Sequence, residues 1–125
     1  MGQGPGNTPR RLGNEAESIA RVFLEANGLQ TAVRNYRARA GEIDLIMQDG
    51  ETIVFVEVRF RTRGDFVHPA ETIDRRKQAH IINAGRHYLQ QRRLLDKVNC
   101  RFDVVLITGP QNARKIEWIR NAFGA

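Results

Sequence analysis

Two carboxylates, Asp44 and Glu57, sit inside strongly apolar runs, residues 42–48 (EIDLIMQ) and 52–61 (TIVFVEVRFR). Both runs read as β-strands, in which successive side chains point to opposite faces. On the second run Phe55, Glu57, Arg59 and Arg61 share one face, while Val54, Val56, Val58 and Phe60 make a clean core face. On the first run Glu42, Asp44 and Ile46 oppose Ile43, Leu45 and Met47. Asp49-Gly50 between two β-rich runs signals a hairpin. If those two residues are the whole turn, Gln48 faces Glu51 and Asp44 lies diagonal to Glu57. If the loop is 49–52, Asp44 faces Glu57 directly. Either arrangement puts both acids on one face, roughly 5–8 Å apart at Cβ. An odd loop without a bulge would separate them.

Two carboxylates this close repel unless a cation stands between them. A divalent ion does so, and Mg²⁺ commonly takes one or two carboxylates with phosphate oxygens and water. The plainer alternative is that Asp44 and Glu57 pair with Arg59, Arg61 or Arg39 and only hold the sheet together. Arg59 separates the two cases. If it bonds both acids, it takes the place of the ion. If it points away, Mg²⁺ or Mn²⁺ should bind, and this second arrangement is the expectation. Glu17 is a third acid, at the edge of a helical stripe formed by Ala16, Ile19, Ala20, Phe23 and Leu24. It either faces the other acids or completes a capping box with Asn14 as N-cap.

Other reactive residue types offer less. His80 and His87 lie two helical turns apart, too far for joint ligation, and with His68 they read as surface or interface residues. Cys100 is the single cysteine and has no histidine near it in sequence. There is no Gly-rich phosphate loop. Trp118 and Phe123 read as packing groups.

The elements that must position these residues follow from periodicity. A helix is expected over 14–27, strands over 29–36, 42–48 and 52–61, and a loop over 62–68. A long helix follows over 70–93, with Ile73, Lys77, Ile81, Ala84, Tyr88 and Leu89 near one face. Strands over 101–108 and 115–120 end the chain. Residues 1–12 read as a flexible tail and 13–125 as one domain, an α/β layer of order α-β-β-β-α-β-β.

The chain has 125 residues, 41% of them hydrophobic, which suits one globular domain. No apolar run has the roughly 18 residues of a membrane span, and no secretory leader is visible. With a single cysteine, a cytoplasmic location is expected. Twenty Lys and Arg against 14 Asp and Glu leave a net charge of +6, and 17 of the 20 cations are arginine. A basic surface rich in guanidinium forks favours an anionic partner, nucleic acid foremost.

The stretches Glu17-Ser-Ile-Ala20, Gly41-Glu-Ile-Asp-Leu-Ile46, Val56-Glu-Val-Arg-Phe-Arg61, Lys77 and Arg101-Phe-Asp-Val-Val105 resemble the YraN family of small bacterial proteins. That family is itself similar to PD-(D/E)XK nucleases and archaeal Holliday-junction resolvases. The resemblance covers about residues 12–122. It implies a single mixed β-sheet flanked by helices, restriction-endonuclease-like. It also implies metal-binding roles for Asp44 and Glu57, the helix-borne glutamate role for Glu17, and Mg²⁺ or Mn²⁺ as cofactor. Arg59 falls where the superfamily has lysine. An arginine cannot act as a base, but it can stabilise charge on a phosphorane. Nucleic-acid contacts are expected from Arg39, Arg61, Arg63 and Lys77, with DNA, branched or structured, as the favoured partner and a homodimer by analogy. The expected function is nucleic-acid binding with metal-dependent phosphodiester hydrolysis. The alternative is a non-catalytic nucleic-acid or protein-binding module that keeps the fold.

Overall fold

The computed structural model of the chain describes residues 9–61 and 73–124, with side chains from residue 13 onward. Seven elements follow one another: α1 (Pro9–Ala26), β1 (Gln30–Ala38), β2 (Gly41–Asp49), β3 (Thr52–Arg61), α2 (Arg75–Gln91), β4 (Cys100–Thr108) and β5 (Lys115–Phe123). The order is the expected one. The five strands form one sheet in the order β1-β2-β3-β4-β5. It is mixed, because β3 and β4 run parallel while the other neighbours are antiparallel. A parallel pair needs a long crossover, and α2 lies within it.

Helix α1 departs from the expectation at its start. It begins at Pro9, so Asn14 and Glu17 lie within the helix and make no capping box there. Proline suits a helix start, where its missing N–H would have had no partner. Of the stretch read as a tail, 1–8 lie outside the described residues and 9–12 belong to α1. The loop expected over 62–68 also lies outside them, with Gly64 and His68. Helix α2 is shorter than the long helix expected over 70–93. Asp74 caps it by accepting from the Lys77 N–H at 2.8 Å.

The core has two layers, one on each face of the sheet. Ala16, Ala20 and Leu24 of α1 pack on Leu45, Met47, Val54, Val56, Val105 and Ile107. On the other face Ile81, Ala84, Tyr88 and Leu89 of α2 pack on Ile46, Ile53, Phe55, Phe102 and Val104. Aromatic rings cross this second layer: Tyr88 meets Phe55 edge-on, Phe55 stacks on Phe102, and Phe102 stacks on Phe123. Trp118 and Phe123 are packing groups, as expected. Trp118 meets Phe23 edge-on on the α1 side.

The β2–β3 hairpin decides the geometry of the acids. Asp49 pairs with Thr52 and Gln48 with Ile53, so the turn is Gly50-Glu51, one residue later than the Asp49-Gly50 reading. Gly50 at φ +62 occupies a left-handed position that glycine adopts without strain. The register is that of the 49–52 loop. The pairing ends at Leu45 opposite Val56, one step short of Asp44 and Glu57.

Candidate functional site

Asp44 and Glu57 meet where β2 and β3 part. Their ladder ends at Leu45 and Val56, and beyond it the Val58 N–H donates to Asp44 Oδ2 at 2.8 Å. A side-chain carboxylate thus replaces a strand carbonyl as acceptor, which anchors Asp44. Glu57 is held on its other side by the parallel pairing of β3 with β4, opposite Val104. The two carboxyls hydrogen-bond each other. They meet beyond the end of the ladder, where β2 no longer alternates strictly: Ile43 packs with Ile46 on the α2 side, and Leu45 on the α1 side.

Burial raises the pKa of both acids, since a desolvated carboxyl favours its neutral form. Glu57 is pushed up to about 8, first by burial and next by the charge of Asp44. Asp44 is raised by burial too, against the opposing Val58 N–H. Burial thus favours the protonated form in this pair more than in free carboxyls.

Among the described residues two cations approach Glu57 Oε2, Arg59 Nε at 3.6 Å and Lys77 Nζ at 3.6 Å. Arg59 bonds neither acid at hydrogen-bond distance, and its buried Nε has no hydrogen-bond partner. It contacts one acid and does not bridge the two. Lys77, expected at a phosphate, reaches the acids from the first turn of α2. The sequence held a signal for this, a lysine on the apolar stripe of the long helix.

Glu17 approaches from α1. Its pKa is raised to about 7, mainly by burial and then by Asp44, against a hydrogen bond with the Asn35 side chain. It feels the charge of Asp44 without joining the pair. Among the described residues no group of three or more His, Cys, Asp or Glu is gathered closely enough to hold an ion by itself. Two hard carboxylate donors remain, which fits an ion that completes its shell with water and phosphate oxygens.

A cavity of about 330 Å³ opens beside Lys77, lined also by Arg37, Gly41, Glu42, His80 and Ile81. Gly41 permits this closeness, because a Cβ there would lie 2.9 Å from the His80 carbonyl oxygen. Arg37 and His80 were not singled out for this role. They come from β1 and α2, which meet only in the fold. Arg39 lies exposed in the turn between β1 and β2, and Arg61 closes β3 half-buried. Arg63 lies outside the described residues.

The profile of the uncharacterised protein family UPF0102 matches residues 16–107. The chain belongs to this family. UPF0102 and the YraN family that the sequence resembles are the same. A UPF0102 protein of Nitrosospira multiformis is 52% identical over 116 residues, 93% of this chain and 95% of that protein. One from Coxiella burnetii is 47% identical over 114 residues, 91% and 92% of the two chains. One from Pseudomonas putida is 42% identical over 120 residues, 95% and 98%. The UPF0102 match takes in Glu17, Asp44, Glu57, Arg59 and Lys77. No helix among the described residues is long and apolar enough to cross a membrane.

Proposed function

We propose that this UPF0102 protein binds nucleic acid, DNA foremost, and hydrolyses phosphodiester bonds at Asp44 and Glu57 with a divalent ion. One observation carries the reading: Lys77 reaches Glu57, which forms a carboxyl pair with half-buried Asp44, and the same lysine lines a cavity with Arg37 and His80. Carboxylates alone would repel a phosphate, and cations alone would only bind it. Both together suit a phosphate held by cations beside an ion held by acids.

Asp44 and Glu57 are the residues that would hold Mg²⁺ or Mn²⁺. When bound, such an ion supplies positive charge to the phosphate oxygens and makes a water acidic enough to attack near neutral pH. The Val58 N–H keeps Asp44 oriented. Deprotonation of the pair exposes charged oxygens, and Lys77 and Arg59 then steady Glu57. Lys77 stands between Glu57 and the cavity, placed to offset charge that grows on a phosphate oxygen. Arg59 serves the same balance without acting as a base.

A melt with and without Mn²⁺ tests the reading, together with cleavage of branched and linear DNA. An ion at a hundredfold excess over its Kd stabilises by about 2.7 kcal/mol, so the wild type should melt about 10 °C higher. Asp44→Asn should lose both the shift and the cleavage. No shift and no cleavage, with DNA still bound, would establish the non-catalytic module instead.

A further inference from the structure

The outer edge of the sheet carries a feature that the acid site does not use. Strand β1 is an edge strand, and α2 packs beside it. At one end of their junction lies the cavity of Arg37, Lys77 and His80. At the other lies an open cavity of about 670 Å³, lined by Tyr36, His87, Tyr88, Gln91 and Arg92. Lys77, His80, His87 and Gln91 lie along one line of α2, with the fully buried Ala84 between His80 and His87. From residue 77 to 91 that line is about 21 Å long, room for several nucleotides of one strand.

The rings at the far end are held in place. The Tyr36 hydroxyl hydrogen-bonds His87 Nδ1, and the Gln91 amide lies 3.5 Å from the other ring nitrogen. Tyr36 meets Tyr88 edge-on at 5.4 Å, and the Arg92 guanidinium sits 4.8 Å over the Tyr88 ring. Tyr88 is buried and ends the aromatic core. Tyr36 and His87 continue beyond it, half-buried, at the wall of an open cavity. Fixed rings flanked by cations provide what an unpaired base and its phosphate need, and stacking accepts any base. A duplex covers its base faces and cannot use such rings.

We propose that the groove between β1 and α2 binds a single-stranded nucleic acid, with bases stacked on Tyr36 and His87 and phosphates along Arg92, Arg37 and Lys77. That the strand leads to the acid pair rests on the proposed hydrolysis; that it binds does not.

The test is fluorescence anisotropy at low salt in EDTA, so that no cleavage enters. The probes are labelled oligothymidylate and oligouridylate of about 15 nucleotides and a blunt duplex of about that length. The wild type should bind a single strand more tightly than the duplex. His87→Ala and Arg92→Glu should each weaken single-strand binding about tenfold. Lys115→Glu, the same charge change as Arg92→Glu but on β5 at the opposite edge, should weaken it far less. Melting curves check that each variant folds. If His87→Ala does not, Arg92→Glu decides, because that side chain is exposed past the end of α2. Support in either the DNA or the RNA arm names the sugar. No binding, equal binding of strand and duplex, or groove variants no weaker than Lys115→Glu overturns the proposal. A wild type that binds strands but never cleaves DNA with metal leaves the groove in place and removes the hydrolysis.

Discussion

Raised pKa values at Glu17, Asp44 and Glu57 give the stability of this protein a definite direction with pH. An unperturbed glutamate titrates at 4.5, whereas Glu17 is raised to about 7 and Glu57 to about 8. The folded state binds these protons more tightly than the unfolded chain does. The stability they contribute is whole below about pH 4.5 and is lost as pH rises through the folded values. Melting temperature should therefore fall from pH 5 to pH 9 by several degrees. Glu57→Gln removes one of the titrating groups, so its profile should be flatter over that window. A wild-type profile that rises over the same window would contradict the raised pKa values. Mn²⁺ must displace protons from the pair, so its stabilisation should grow with pH in the same range.

At the scale of elements, the edge strand β5 depends on one buried carboxylate. Asp103 is 0% exposed. It accepts from Arg101 Nε at 3.0 and 3.1 Å, from Trp118 Nε1 at 2.9 Å and from the Asn121 N–H at 2.9 Å. The β4–β5 register shifts between Phe102 and Val104, and Asn121 takes the left-handed conformation at φ 52. Asp103 therefore holds the irregular end of β5 to the sheet. Asp103→Ala strands the indole N–H of half-buried Trp118 and the Asn121 backbone N–H and removes one acid partner of Arg101. It should destabilise by about 3–5 kcal/mol, seen as a lower urea midpoint and faster amide exchange at Asn121. An unchanged midpoint would show that β5 stands without it. On the other side of the sheet Gly41 sets the approach of α2. A methyl at 2.9 Å from the His80 carbonyl oxygen has no room there, so Gly41→Ala must shift backbone. It should destabilise by about 1–3 kcal/mol. It should also open the Lys77–Glu57 approach, weakening the Mn²⁺ shift beyond what the lower stability explains.

For the whole molecule, the net charge of +6 and 17 arginines set what the proposed nucleic-acid binding predicts. Cations that neutralise phosphates release counterions, so affinity falls as salt rises. Three phosphate contacts on a single strand, from Arg92, Arg37 and Lys77, correspond to a slope of about −2 in log affinity against log salt. An anisotropy titration at several salt concentrations reads this slope. A flat response would exclude phosphate contacts and favour a protein partner. The expected slope follows from contacts actually made, so it should flatten by about 0.7 when Arg37 is replaced by alanine.

Alternation and turn residues in the sequence determined the strands, because side-chain direction in a strand is a local property. The order of elements followed from the same local patterns, whereas the kinship with UPF0102 rests on the resemblance of whole motifs and the family match. The exact register needed the folded hairpin: Asp49-Gly50 marked a turn, but only the pairing of Asp49 with Thr52 placed it at Gly50-Glu51. The helix start at Pro9 was masked by a stretch so rich in glycine and polar residues that its apolar signal vanished. The surroundings of the acids were not legible along the chain. Lys77 lies 20 positions from Glu57, and Arg37 lies 40 from Lys77, yet they gather at one site. What brings them there is the crossover between parallel β3 and β4, which lays α2 over the sheet with its first turn at the acids. Burial decides the protonation of Asp44, Glu57 and Glu17, and burial belongs to the packed layers rather than to any stretch of sequence.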